Sequence, residues 1–212
     1  LLFISVYLLF HLGNGQSSVL SSGQWYKIGI TESGIYKLDV NTMQALGVPI
    51  SSVNPNRLKI YGNGVQGKLA QLNSIERPQD LLENAIQLSG GEDGSFDDED
   101  FILFYGIGPN EEKWTADGFG YEKNIYSDTS YYFLKIDGES GKRIQSKESL
   151  NSEANVIVNT FQDHITYEVD IRNLISSGRG WYGETIIDGQ TSNFTHTIQG
   201  ISSDIEMKVN LV

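Results

Sequence analysis

The feature that most constrains this chain is a set of short runs in which apolar and polar residues alternate, separated by glycine-rich turns. Tyr26-Lys27-Ile28-Gly29-Ile30, Ile35-Tyr36-Lys37-Leu38 and Ser130 to Asp137 (SYYFLKID) are such runs. A period of two places every second side chain on one face of an extended strand, so each run predicts a half-buried β-strand. With 23 Gly in 212 residues, and Ser, Asn and Asp crowded between the runs, turns are frequent and strands are short. The fold class predicted is mainly β with one or two short helices: a β-rich N-terminal domain, then the start of a truncated β-sandwich-like domain.

The runs place further elements. Arg57 to Tyr61 and Phe101 to Tyr105 predict strands, and 83–90 (ENAIQLSG) predicts one more. In VNTMQALGVPI, Asn41 is the expected N-cap of a helix of about two turns, with Gln44 three residues on and Gly47 and Pro49 closing it. Residues 106–114 (GIGPNEEKW) and 119–130 (FGYEKNIYSDTS) read as loops, and 137–155 as a polar hinge. Residues 65–80 carry no decisive pattern. A second unit begins near 156, with strand character in VIVNTF, HITYEVDI, FTHTI and IEMKVNLV. The expected division is a signal-peptide remnant at 1–15, a Ser-rich spacer at 16–22, a β-rich domain at 23–150, and an incomplete β domain at 151–212. No internal repeat or low-complexity tract is present.

The N-terminal assignment rests on residues 1–12, an apolar run of the length of a signal-peptide core and too short to span a bilayer. Gly13 and Gly15 sit two apart, which suits cleavage after Gly15, and a polar SSVLSSG spacer follows. The competing reading is a buried first strand. The run has no initiator Met and no basic flank, hence the word remnant. An exported chain is expected.

Charge and composition exclude several chemistries. A formal net charge of -12 opposes nucleic acid and anionic membrane surfaces as partners. With no cysteine, disulfides, thiolate metal sites and a cysteine nucleophile are excluded within this sequence. His11, His164 and His196 are scattered, where a zinc site needs clustered ligands, so the latter two read as strand-surface residues. No G-x-S-x-G elbow occurs, and YGNGVQGK and YGIGPN lack the Lys-Ser/Thr that a phosphate loop needs. Asn193-Phe194-Thr195 is a formal glycosylation sequon, relevant only to a eukaryotic secretory host.

The densest candidate for chemistry is SGGEDGSFDDEDFILFY (89–105), with six acids between Glu92 and Asp100. Set against a calcium loop with Gly94 at position 6, Asp93, Asp97 and Asp100 fall at ligand positions 5, 9 and 12. Positions 1 and 3 would be Ser89 and Gly91, which supply no carboxylate. The competing reading is a turn: Asp93-Gly94 opens it, Asp97 or Asp98 caps one helical turn, and Phe101 onward leaves as a buried strand. Spacing favours the turn. No cofactor is expected, calcium being the one ion the pattern half fits. A catalytic acid pair needs two environments that split the pKa values, and a solvated acidic loop gives one environment.

Six stretches taken in order resemble a known family: 23–39 (GQWYKIGITESGIYKLD), 54–64 (NPNRLKIYGNG), 80–110, 124–135 (NIYSDTSYYFLK), 141–144 (GKRI) and 176–184 (SSGRGWYGE). Together they are similar to the N-terminal region of the type IX secretion system sortases of Bacteroidota, the PorU-like branch of the gingipain (C25) cysteine peptidases. The chain departs from that pattern after YGNG, where VQGKLAQLN replaces a more glycine-rich segment. It departs again at Gly180, where the family carries a charge before the Trp. The resemblance implies an exported parent protein at the outer membrane, facing outward, with a Cys–His dyad in a caspase-like domain beyond this region. It implies removal of the C-terminal sorting domain of secreted cargo, attachment of the new C-terminus to an anionic lipopolysaccharide, and other type IX secretion components as partners. No catalytic residue carries over to this sequence, so whether it belongs to an enzyme is left open by its residues. The competing class is a secreted β-sandwich binding or adhesion module, calcium-stabilised or not, with Trp114 and Tyr121 on a ligand face.

Overall fold

The computed structural model describes residues 18–64, 66–67, 78–116, 118–176, 180–202 and 209. The signal-peptide reading at 1–15 and His11 lie outside the described residues, as does most of 203–212. The chain divides into two compact units. One comprises the residues up to Glu111 together with Glu122–Ser146, and the other Glu112–Tyr121 together with Lys147–Val212.

The first unit is antiparallel β, as the alternation predicts. Strand β1 spans Gln24–Ile30 and β2 Gly34–Asp39. After helix α1 (Val40–Ala45) come β3 (Leu58–Tyr61), β4 (Glu83–Asn84), β5 (Gln87–Ser89) and β6 (Phe101–Gly106). Next come β7 (Glu111–Thr115), β8 (Gly118–Glu122) and β9 (Ser130–Ile136). One sheet has the order β1-β9-β3-β4 and a second β2-β6-β5, while β7 and β8 form a two-stranded ribbon that belongs to the second unit. Strands β1 and β2 are separated by three residues yet do not pair with each other. Trp25 faces Lys135 in one sheet and Tyr36 faces Phe104 in the other. Alternation locates a strand but does not name its partner. The predicted single strand at 83–90 likewise breaks at Ala85-Ile86: β4 pairs with β3 and β5 with β6.

The two sheets share one apolar core. Leu58, Ile60, Tyr132 and Leu134 enter it from the first sheet, and Leu38, Ile102 and Phe104 from the second. In β9 the period of two sends Tyr132 and Leu134 into the core, with Tyr131 exposed and Phe133 half-buried on the other face. The Phe104 and Tyr132 rings meet at 5.4 Å across the sheets, and Tyr36 stacks on Phe104 at 5.7 Å. The Tyr132 hydroxyl accepts the Ile107 N–H at 2.8 Å, so a buried polar tip is satisfied where the ring is apolar. Burial raises the Tyr132 phenol above its ordinary value. Gly62 makes this possible, since a Cβ there would sit 2.5 Å from the Tyr132 ring.

Helix α1 closes one end of the core with Val40 and Met43, three residues apart and so on one face. Its N-cap is Asp39, not the expected Asn41. The Asp39 carboxylate accepts the Thr42 N–H at 2.9 Å and the Thr42 hydroxyl at 2.8 Å. Both residues are good caps, but only Asp39 has the extended backbone from which a side chain reaches the third amide on. Two predicted loops also contain strands: the loop at 106–114 begins with the last residue of β6 and holds most of β7, and the loop at 119–130 holds most of β8. Their residues are mostly polar or glycine, so burial leaves no alternation to read.

In the second unit, 156–161, 164–171 and 194–198 predict strands but form no ladder among the described residues. The regular pairing in this unit, among the described residues, is the β7–β8 ribbon and an antiparallel bridge between Arg172 and Tyr182. Their apolar side chains are largely solvent-facing, Ile157 at 86% and Phe161 at 85%. Strand propensity is a preference for a pleated, half-buried surface, and it is unmet where no neighbouring strand supplies that surface.

Removing the Phe104 ring leaves a cavity between the sheets. Phe104→Ala is expected to cost about 3–5 kcal/mol, whereas Ile35→Ala in the same sheet, 74% exposed, is expected to cost less than about 0.5 kcal/mol. Urea unfolding of both variants checks the contrast.

Candidate functional site

The acidic stretch forms a turn. Gly90, Gly91 and Gly94 all hold positive φ, between +76° and +87°. The Asp93 carboxylate accepts the Ser95 N–H at 2.9 Å, and the Gly94 N–H reaches the Gly91 carbonyl at 3.1 Å. Phe96 is buried in the core. The capping runs opposite to expectation: the Asp100 carboxylate accepts the Asp97 N–H at 3.1 Å, and the Asp100 N–H donates back to the Asp97 carbonyl at 3.0 Å. Asp100 is only 6% exposed and lies directly against Gly90, where a Cβ would fall 1.7 Å from its Oδ1. Asp93 and Asp97 are exposed. Among the described residues, no three acidic or histidine side chains form a group that could hold a metal. An open depression of about 280 Å³ adjoins this turn, lined by Val53, Asn54, Ser95 and Phe96 among others.

The strongest electrostatic feature lies on the outer face of the four-stranded sheet. Lys59 and Lys135 are register partners on β3 and β9, so both point away from the core. Lys59 Nζ is 2.7 Å from Asp137 Oδ1, and Lys135 Nζ is 2.7 Å from Asp137 Oδ2. The two lysine side chains are each 9% exposed and the carboxylate 32%. Lys135 also lies over the Trp25 ring at 4.7 Å, and Trp25 meets Tyr61 edge-on at 5.2 Å. Hydrogen bonds from Lys135 and then Lys59 hold the Asp137 carboxyl below the usual carboxylate range. For Lys59, burial disfavours the charged form, but the hydrogen bond and charge of Asp137 outweigh it and the net shift is upward. That direction decides the chemistry. A lysine nucleophile or Schiff-base lysine needs a lowered pKa, and Lys59 is locked in its ammonium form. The trio is a clasp, closing the C-terminal end of β9 onto β3.

Beside it, the segment expected to be a hinge is anchored at its start. The Arg143 guanidinium donates to four backbone carbonyls: Leu58 at 3.2 Å, Lys142 at 3.1 Å, Pro55 at 3.0 Å and Asn56 at 2.8 Å. Ile86 donates to the Lys142 carbonyl and accepts from the Ile144 N–H. Burial lowers the Arg143 pKa from its ordinary value, yet an arginine stays charged at any working pH. The Ser-rich stretch is also held, at least from Ser18: Asp80 accepts the Ser18 hydroxyl at 3.0 Å and the Val19 N–H at 2.6 Å.

The second unit holds an arrangement that the sequence does not signal. His164 stacks on Phe119 at 3.6 Å, with the Trp114 ring edge-on at 6.1 Å and Glu112 Oε2 3.5 Å from its Nε2. His164 is therefore part of an aromatic cluster and not a plain strand-surface residue. Fifty residues separate it from Trp114, so no local pattern joins them. His196 lies apart, edge-on to Tyr167 at 5.7 Å. Tyr167 donates its hydroxyl to Glu184, which raises the phenol pKa. Trp114 is 55% exposed and also packs edge-on against Phe119 at 5.5 Å, while Tyr121 is half-buried. Asn193 and Thr195 of the sequon are exposed.

The chain matches no protein-family model and no curated protein. Among solved structures it is similar to the crystal structure of dimeric latent PorU from Porphyromonas gingivalis, at 22% sequence identity and a TM-score of 0.49. That likeness covers 66% of this chain and 12% of the other, so the chain corresponds to a small part of that protein's length. The likeness is distant. No described helix is long and apolar enough to cross a membrane.

Because the native pKa of Asp137 is depressed, its clasp contributes stability above the unfolded carboxylate value of about pH 4, and that contribution is lost as pH falls through the lower native value. Asp137→Asn is expected to cost about 2 kcal/mol at pH 7. The gap to the parent protein should narrow at pH 3, as measured by urea unfolding at both values. A gap independent of pH would show that the carboxylate charge does not matter. For the acidic turn, excess EDTA is expected to leave the melting temperature unchanged.

Proposed function

We propose that this chain is the non-catalytic N-terminal module of a sortase-like cysteine peptidase of type IX secretion. The parent enzyme would be exported to the outer membrane of a member of the Bacteroidota and face outward. There it would remove the C-terminal signal of secreted cargo and attach the new C-terminus to lipopolysaccharide. The module's own task would be to fold as a rigid platform for the parent enzyme and its partner components.

What supports this reading is where the ordered motifs fall. Residues 54–64 supply the Pro55, Asn56 and Leu58 carbonyls, and residues 141–144 supply the Arg143 guanidinium that gathers them. Residues 80–110 supply the Ile107 amide, and 124–135 supply the Tyr132 hydroxyl that receives it. Motifs far apart in sequence are thus complementary parts of one framework. Residues used in that way define a scaffold, and the charged cluster beside them is a clasp whose lysine is shifted toward its protonated form. The alternative, a secreted adhesion module, would use the exposed Trp114 beside Phe119, but it gives no account of the motif order.

The reading frame that contains this chain is expected to continue into a domain with a reactive cysteine. Iodoacetamide should label the full-length protein and block its processing of cargo, while the 18–212 fragment, which has no cysteine, should take no label. A full-length protein lacking a thiol whose alkylation stops processing would overturn the proposal.

A further inference from the structure

Three observations converge on one peptide bond. First, residues 144–163 are all exposed, and beyond Ile144 none of them enters a helix, strand or bridge. Second, the last of the chain's crossings between the two compact units falls between Ser146 and Lys147. Third, Lys147 is the single basic residue between Arg143 and Arg172.

The neighbouring basic residues are protected by different means. Arg143 has its guanidinium held by four backbone carbonyls, so it cannot enter another protein's specificity pocket without releasing them. Lys142 has its N–H on the Glu83 carboxylate and its carbonyl on Ile86 and Arg143. Arg172 has its backbone paired with Tyr182 in both directions. An endopeptidase takes its substrate as an extended, unpaired strand, and its rate on a folded protein follows the cost of opening the segment. Among the described Lys and Arg residues from Lys142 to Arg172, that cost is smallest at Lys147.

We infer that the Lys147–Glu148 bond is a processing site for an endopeptidase whose specificity pocket reads a lysine side chain. Water adds across the amide. The Lys147 carbonyl carbon takes the hydroxyl and becomes a carboxylate, and the Glu148 nitrogen takes the proton and becomes a new amino terminus. No cofactor or redox partner is consumed. Every strand of the four- and three-stranded sheets, the Lys59–Asp137–Lys135 clasp and Arg143 lie on the N-terminal side of the cut, as does the Glu112–Tyr121 part of the second unit, so the pairing of the first unit is left whole. The inference does not rest on the sortase reading, since it uses only exposure, pairing and the placement of basic residues.

Limiting trypsin acting on the full chain is expected to make its first cut after Lys147, giving a fragment that starts at Glu148 by intact mass. The N-terminal product should persist under further digestion. Lys147→Gln should slow the first cut at least tenfold, and because Lys147 is exposed the variant should keep the parent near-ultraviolet circular dichroism. A first cut at Arg57, Lys113, Arg143 or Arg172, or a Lys147→Gln variant cut as fast as the parent, overturns the site. Protein recovered from the cells that make it should carry Glu148 as a new amino terminus, and recovered protein that is uniformly intact across that bond overturns the processing role.

Discussion

The first unit depends on Tyr132. Its ring bridges the two sheets through Phe104, and its hydroxyl takes up the Ile107 amide just beyond β6. Neither sheet has enough strands to bury its apolar face alone, so the contact between them is what makes either one stable. A single side chain supplies both the apolar area and the polar termination. The absence of a side chain at Gly62 is part of the same contact, since it lets the ring lie flat against the backbone. The core residues on either side, Leu134 and Ile60 in one sheet and Ile102 in the other, are positioned by registers that this contact fixes.

Around that core, charged groups do structural work at the ends of strands. Asp39 caps α1, Asp80 holds the Ser18–Val19 turn, Asp137 clasps two lysines, and Arg143 collects the backbone carbonyls of Pro55 and Asn56 just before β3. Backbone groups left over where ladders stop must find partners or lose the free energy of hydration. The acidic stretch at 92–100 belongs to the same class. It uses Asp93 and Asp100 to fold a turn that delivers Phe96 to the core and leads into β6.

Strands β1, β2 and β9 were legible in the sequence from alternation, and β3 and β6 from short strand-forming runs set between turn residues. Strand pairing was not legible, because partner choice depends on contacts far away in sequence: Lys59 and Lys135 are 76 positions apart and meet only in the folded sheet. Strands β7 and β8 carry too little apolar contrast to show a period. Asn41 against Asp39 is a shift of two residues that backbone geometry decides and composition does not. In the candidate sites, the turn expected at 92–100 forms, with Asp100 and not Asp97 accepting the capping amide. The clasp, the arginine staple and the His164 cluster lay outside what spacing could find, since each joins residues from distant segments.

The break at Ala85-Ile86 has a consequence for how the unit comes apart. In this short segment the chain leaves one sheet and enters the other, with Ile86 held on both sides by the 142–144 segment. A slip of one position in β4 would carry through the crossing into β5 and turn its side chains to the wrong face. The two sheets therefore share a single register, like two gears on one shaft. Opening either one sets the other loose, so the unit has no half-unfolded resting point in which one sheet survives without its neighbour.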